Sequence, residues 1–232
     1  MQISVIIPAY NEEGVIADTI KEIRGFLQDN FESFEIVVVD DKSTDSTLNI
    51  IQSLADVRAV KNIKNHGKGY SVAKGVKVAK GDLILFMDAD NSTRIVELQK
   101  FLPQIKDYPI VIGSRGLKDS DVQIKQNFIK AFLGKAGNML IRILVAPRIS
   151  DTQCGFKLFT KESKYLFDKL TIERWGFDFE LIFLARKYSL KIKEVPVVWR
   201  NNFDSKVTWL GYVSTLLQVF KVRLNNILGK YN

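Results

Sequence analysis

Apolar residues fall along the first half of this chain in short unbroken runs, separated by stretches with helical spacing. Five runs read as strands: Gln2–Ile7, Phe34–Val39, Val57–Ile63, Leu83–Met87 and Pro109–Arg115. Runs without polar alternation mark strands buried on both faces, as in a parallel sheet. Pro8 is expected to end the first, because it has no N–H to give to a ladder. Between the runs, Val15, Ile16, Ile20, Ile23 and Leu27 keep helical spacing. Ser43-Thr44-Asp45-Ser46-Thr47 is rich in capping residues and opens a helix over Leu48–Leu54. Tyr70–Ala79 follows the turn Asn65-His66-Gly67-Lys68-Gly69 as a third helix, and Val96–Ile105 reads as a fourth. The alternation predicts an α/β fold, a mostly parallel sheet flanked by helices, with ligands at the carboxyl ends of the strands. Pro8 to Glu12, Asp40-Asp41, Asp88 with Asp90, and Arg115 all fall on that edge.

The centre of the pattern is Leu83-Ile84-Leu85-Phe86-Met87-Asp88-Ala89-Asp90. In an extended chain, positions i and i+2 point the same way, so the two carboxylates project together where the strand ends. Neighbouring carboxylates repel unless a cation sits between them, and Mg²⁺ or Mn²⁺ takes few carboxylates and fills its shell with water and phosphate. The other reading of the pair is a turn cap, since Asp and Asn are turn residues.

After Arg115 the pattern changes. Residues 124–145 read as one helix, or two broken near Gly134 and Gly137, with bulky apolar residues interleaved with Lys125, Lys130, Lys135 and Arg142. Trp209–Leu228 repeats the theme with Lys221 and Arg223. Neither reaches the roughly 18–20 uncharged residues of a spanning helix. They suit helices lying in a membrane interface, or core helices with ordinary basic solvation. Charge sharpens the choice. Residues 116–150 carry six Lys/Arg against two Asp, and residues 200–232 five against one, which together account for the whole net charge of +8. Basicity so confined points to a polyanion, either nucleic acid or an anionic membrane. Aliphatics between the cations, without an aromatic platform, argue against nucleic acid. At 232 residues with 46% apolar composition the chain makes one domain, 1–232, with halves at 1–115 and 116–232. One cysteine, Cys154, and one histidine, His66, exclude a disulfide framework and a histidine-based metal site. The first residues enter a strand directly, so no signal peptide is expected. A cytoplasmic protein, held peripherally on the cytoplasmic face of a membrane, is expected.

These motifs form a known series. Ile6-Ile7-Pro8-Ala9-Tyr10-Asn11-Glu12-Glu13, Val38-Val39-Asp40-Asp41-Lys42-Ser43-Thr44-Asp45 and Asp88-Ala89-Asp90 resemble the nucleotide-sugar half of the inverting family 2 glycosyltransferases, which have the GT-A fold. Gly113-Ser114-Arg115, Asp151–Phe159 and Glu173–Glu180 resemble its polyprenyl-phosphate branch, nearest to the dolichyl-phosphate enzymes that carry glucose, with those carrying mannose a step further. Lys42 stands where the family usually has glycine, and an N-terminal membrane anchor of the eukaryotic enzymes has no counterpart in the sequence.

The resemblance implies a site. Pro8, Tyr10, Glu12 and Asp41 would form the nucleoside pocket, Asp41 accepting from a uracil N–H and Tyr10 stacking on the base, while Asp40 orients the loop. Lys68 would approach the nucleotide, or be a solvated surface lysine. Asp88 would face ribose or metal and Asp90 the metal bridging the diphosphate. Arg115 would be a second phosphate clamp. Asp151, Gln153, Trp175 and Asp178 would line the sugar pocket, although Trp175 and Asp178 read equally as core. Arg200, Lys206 and Lys157 would face the acceptor phosphate. A phosphate monoester is already an oxyanion near neutral pH, so such an acceptor needs cations more than a base. The donor is expected to be UDP-glucose in preference to GDP-mannose, and the acceptor a polyprenyl (dolichyl-type) phosphate at an anionic membrane surface. A membrane-protein partner or a homo-oligomer fits the same surface, and nucleic acid does not. Competing readings are a family 2 enzyme acting on a saccharide or lipid hydroxyl, which would need a carboxylate base, and a dinucleotide oxidoreductase. The latter lacks its glycine fingerprint after the first strand.

Overall fold

The computed structural model describes residues 2–123, 139–200 and 209–232, with side chains of the last segment from residue 214 onward. Four βα repeats and a fifth strand come first: β1 (Gln2–Ala9), α1 (Ile16–Asn30), β2 (Ser33–Asp40), α2 (Thr47–Ser53), β3 (Val57–Lys61), α3 (Lys68–Val78), β4 (Leu83–Met87), a 3-10 turn (Ile95–Glu97) leading into α4 (Leu98–Phe101), and β5 (Ile110–Ser114). Then follow β6 (Asp121–Gln123), a helical stretch over 139–144 (α5), β7 (Phe156–Thr160), a 3-10 helix (Lys161–Lys169), α6 (Phe177–Lys187), β8 (Ile192–Pro196), β9 (Val198–Arg200) and α7 (Trp209–Ile227). The sheet order is β3-β2-β1-β4-β7-β5-β8, parallel throughout except for β7, and β6 pairs with β9 in a second, two-stranded sheet.

Strand side chains alternate between two cores. Val5, Ile7, Val38, Leu85 and Met87 face α1, α2 and the 95–101 segment. Ile6, Val39, Ile84, Phe86 and Phe159 face the side carrying α3, α5, α6 and α7. All five residues of β4 are buried, as expected of an unbroken apolar run in mid-sheet.

Three expectations need correction. Pro8 lies inside β1, not beyond it. The β1–β4 pairing stops at Ile6–Phe86 while β1–β2 continues to Ala9–Asp40, so at Pro8 the strand has a neighbour only on the β2 side and the missing N–H costs nothing. The helix expected over Val96–Ile105 shrinks to α4, because Pro103 has no N–H for the next turn. An antiparallel strand, β7, lies between β4 and β5 where the alternation predicted parallel neighbours. Its direction brings the residues before it, Asp151–Gly155, to the edge where β4 and β5 end. Most of the helix read over residues 124–145 lies outside the described residues, and its end appears as α5.

The same edge concentrates backbone strain. Asn11, Lys42 and Asn91, after β1, β2 and β4, have φ of 54°, 65° and 55°. Left-handed backbone is costly for residues with a Cβ and gathers where surrounding structure enforces it, as at functional loops.

Candidate active site

Where β1 and β4 part, the loops after β1 and β2 are laced together. Asn11 N–H donates to Ser43 Oγ (3.0 Å), Thr44 N–H to Asn11 Oδ1 (2.8 Å), Glu12 N–H to Thr47 Oγ1 (2.8 Å) and Ser46 N–H to Glu13 Oε2 (2.8 Å). Tyr10 is exposed beside them. Asp40 is buried and accepts from Ser43 N–H, the loop-orienting part foreseen for it. Asp41 is also buried, and its carboxylate accepts from Asn62 Nδ2 (2.7 Å), His66 N–H (3.0 Å) and Gly67 N–H (2.7 Å). With three of about four lone-pair positions occupied, Asp41 in this state shapes the loop that carries Lys68. Gly67 makes the turn at φ 107°, a conformation open to glycine.

Asp88 continues the parity of Ile84 and Phe86 toward α3 and meets Lys68, whose Nζ is 2.6 Å from Asp88 Oδ1. Lys68 lies 5.2 Å from the Phe86 ring and 5.3 Å from that of Trp175. Burial alone would lower its pKa, but the charges of Asp88 and Asp178 outweigh that and raise it, so it is a cation. On the same face Lys157, opposite Phe86 in the β4–β7 register, is fully buried against Asp178 and Cys154 O. Lys157 is therefore the counter-ion of Asp178 beneath the site, not an open cradle for an acceptor phosphate. Asp178 is likewise beneath the floor, whereas Trp175 stands half-exposed at the rim. Burial pushes the Asp178 carboxyl up and Asp88 adds to this, against the pull of Lys157 and Lys68.

Gly155 explains how closely the floor packs. Asp88 N–H donates to Gly155 O (3.0 Å), and a Cβ on Gly155 would sit 1.9 Å from Asp88 Oδ2. Gly155→Ala should therefore turn the Asp88 carboxylate away from Lys68, since the carboxylate can move and the strand backbone cannot. Turnover is expected to fall at least about tenfold, roughly 1.4 kcal/mol, with unchanged circular dichroism. Wild-type turnover in Gly155→Ala would refute this packing.

Asp90 accepts from Ser92 N–H (2.9 Å) and lines a cleft of about 390 Å³ with Glu22, Asn91, Ser92, Arg94 and Arg200. Arg200 arrives there because its N–H donates to Ser92 O (2.8 Å) and Val198 N–H to Glu97 Oε2 (3.1 Å), which stitches β9 to the loop after β4. Glu22 is held by Arg94 Nε (2.7 Å) and Asn91 Nδ2 (2.8 Å). Across the edge, Asp151 takes Arg115 Nε (2.6 Å), Nη2 (3.0 Å) and backbone N–H (3.0 Å) together with Gln153 N–H (3.1 Å). Burial would raise the Asp151 carboxyl, but the Arg115 charge and these bonds hold it below the ordinary range, so it is an anion and no base. Arg115 in turn lies 5.3 Å from the Trp199 ring. Cys154 is buried and its thiol pushed up to about 11, so it is inert.

The structure thus brings together Asp88, Asp90 and Lys68, with Asp178 and Lys157 below, and pairs Arg115 with Asp151. It adds Gly155, Glu22, Arg94 and Trp199, which no sequence signal singled out. Lys206 lies outside the described residues.

The donor set suits a hard divalent cation. Asp90 is pushed up first by burial and then by Asp88, against the hydrogen bonds of Ser92 and the charge of Lys68. Among the described residues no group of three or more His, Cys, Asp or Glu could hold a metal by itself. Two carboxylates completed by water and phosphate are what Mg²⁺ or Mn²⁺ accepts.

Comparison with known proteins agrees. The sequence pattern of Glycosyl transferase family 2 matches residues 4–166. Dolichyl-phosphate beta-glucosyltransferase of Drosophila melanogaster is 36% identical over 95% of this chain and 74% of its own length. The Homo sapiens protein of the same name is 32% identical over 99% and 77%. Among solved structures, mannosyl-3-phosphoglycerate synthase from Rubrobacter xylanophilus superposes with a TM-score of 0.75 at 18% identity, covering 99% of this chain and 75% of that one. Glucosyl-3-phosphoglycerate synthase from Mycobacterium tuberculosis, solved with Mn²⁺, UDP and glucosyl-3-phosphoglycerate, gives 0.72 at 18% identity over 97% and 79%. At that identity the likeness is one of fold.

Proposed function

Because the chain belongs to glycosyl transferase family 2, we propose that this glycosyltransferase moves glucose from UDP-glucose to a dolichyl-type polyprenyl phosphate with inversion at the anomeric carbon. The relatives' names support the donor sugar and the acceptor. The single observation that carries the chemistry is how the carboxylates along this edge of the sheet are used. Glu22 and Asp151 are already committed to arginines, and Arg200 stands beside Asp90. An acceptor hydroxyl would need a base there, whereas an acceptor phosphate brings its own oxyanion and needs a cation.

Asp88 and Asp90 would hold Mg²⁺ or Mn²⁺, which when bound neutralises charge on the departing diphosphate. Pro8, Tyr10 and Glu12 would frame the nucleoside, with Tyr10 stacking on the base and Asp41 fixing the loop beneath it. Arg200, with Lys206, would draw the acceptor phosphate toward the cleft, its guanidinium suited to a bidentate grip. Asp151 holds Arg115 as a fixed positive charge on the sugar side, and Gln153 and Trp175 would meet the sugar hydroxyls.

The membrane is reached through α7. Leu217, Phe220, Leu224 and Ile227 are exposed at helical spacing while Val219 and Val222 are buried on the opposite face. Residues 209–232 contain no Asp or Glu, and Lys221, Arg223 and Lys230 flank the stripe. No helix among the described residues is long and apolar enough to cross a membrane. Such a face suits the interface of an anionic bilayer, where the insoluble acceptor resides.

The test is glucosyl-lipid formation from dolichyl phosphate in detergent with Mn²⁺, comparing UDP-glucose with GDP-mannose. Acceptor-dependent turnover with UDP-glucose is expected, reduced about tenfold or more in Arg200→Gln through the apparent KM for lipid phosphate. Turnover with GDP-mannose alone, or an Arg200→Gln protein with unchanged KM, would refute the corresponding part.

A further inference from the structure

Three buried or half-buried carboxylates, Asp88, Asp90 and Asp178, share two lysines, and the lysines are held differently. Lys157 is fixed, with no exposed surface and contacts to Asp178 and Cys154 O. Lys68 is the first residue of α3, and its ammonium rests on one oxygen of Asp88 at 2.6 Å between the rings of Phe86 and Trp175. Its side chain keeps 14% of its surface exposed, and its outer wall, Trp175, is 37% exposed. A partly exposed lysine on a flexible four-carbon stem can leave its carboxylate. It must also do so if the carboxylate is to serve a metal. A divalent cation held by Asp88 would bind its carboxylate oxygen directly, and an ammonium on that same oxygen would be a second cation on one anion.

We infer that Lys68 is a placeholder cation, neutralising Asp88 while no donor is bound and surrendering it to the divalent metal when a nucleoside diphosphate arrives to receive the ammonium. The inference rests on the reading of Asp88 and Asp90 as the metal-facing carboxylates. Its consequence is coupling. Metal alone has to displace the lysine with nothing to take up its charge, whereas metal with diphosphate gives the lysine a new anion. The two ligands therefore bind cooperatively, each tightening the other by the same factor.

Free Mn²⁺ is followed by electron paramagnetic resonance in titrations with and without saturating UDP, for the wild type, Lys68→Met, Lys68→Gln and Asp90→Asn. In the wild type, UDP should tighten Mn²⁺ binding at least about tenfold, about 1.4 kcal/mol. In Lys68→Met and Lys68→Gln, Mn²⁺ alone should bind about tenfold tighter than in the wild type, with the gain from UDP reduced by a similar factor. A lysine that only repels metal through space would tighten binding equally with and without UDP, leaving the gain unchanged, and that result overturns the inference. So does an Mn²⁺ affinity without UDP that both substitutions leave unaltered or weaken. The wild-type titration decides even if neither variant folds, because Mn²⁺ bound equally well with and without UDP also overturns it. Wild-type Mn²⁺ binding by Asp90→Asn would instead remove the metal-site reading itself.

Discussion

Asp90→Asn should lower turnover by about 10²–10³-fold, roughly 2.7–4 kcal/mol of transition-state stabilisation, while leaving the metal-free protein at least as stable as the wild type. The two halves of this result have one cause. In the metal-free protein the Asp90 carboxylate is partly desolvated and faces Asp88, and Lys68 is engaged with Asp88. Burial and the Asp88 charge both disfavour that carboxylate in the metal-free protein. Asparagine keeps an oxygen that can accept Ser92 N–H and removes the repulsion. Asp88→Asn makes the contrast, because it strands the ammonium of Lys68 between two aromatic rings and should destabilise the protein. Thermal melts without metal, set beside steady-state rates with Mn²⁺, check both halves. A fall of several degrees in the Asp90→Asn melting temperature, or turnover within a few-fold of the wild type, would refute this account of the site.

Asp90 was legible in the sequence for reasons that Lys68 and Lys157 were not. An unbroken run from Leu83 to Met87 can only be a buried strand, and two carboxylates at its end must emerge at the ligand-binding edge. That inference uses neighbours in sequence. The pairing of Lys68 with Asp88 depends on α3 docking against the correct face of β4, a distance of 20 residues along the chain, and nothing local separates such a lysine from a surface one. Lys157 misled more strongly. Residue type places lysine at the surface, and the acceptor-side role expected for it assumed as much. Its burial follows from β7 lying between β4 and β5, and an antiparallel strand inserted there leaves no mark in a βα alternation. The same insertion explains why Asp151 and Gly155, far along the chain, sit against Arg115 and Asp88. The chemistry-bearing end of β4 was thus readable from one segment, while the floor beneath it required knowledge of which strand lies alongside.

That floor gives the largest stability effect. Lys157→Met should cost about 3–5 kcal/mol, the range for removing one partner of a buried ion pair, because it leaves the Asp178 carboxylate in the core without its nearest cation. Asp178→Asn should cost a similar amount by stranding Lys157. The Lys157→Met deficit should depend on pH. Burial already pushes the Asp178 carboxyl above its ordinary value, and loss of Lys157 pushes it further. A carboxyl raised in the folded state makes stability fall as pH rises from its unfolded value through its folded one, so the Lys157→Met deficit should shrink in acid, where Asp178 takes a proton. The double variant Lys157→Met/Asp178→Leu buries neither charge and should recover most of the loss, as replacement of buried pairs by apolar residues commonly does. Urea unfolding at pH 5, 7 and 9 separates these cases. A Lys157→Met deficit that does not vary with pH, or a double variant as unstable as the sum of the single ones, would mean that packing rather than charge is what Lys157 contributes. If the predicted sign holds, the buried pair is a fixed electrostatic base against Phe86, the ring that Lys68 also approaches.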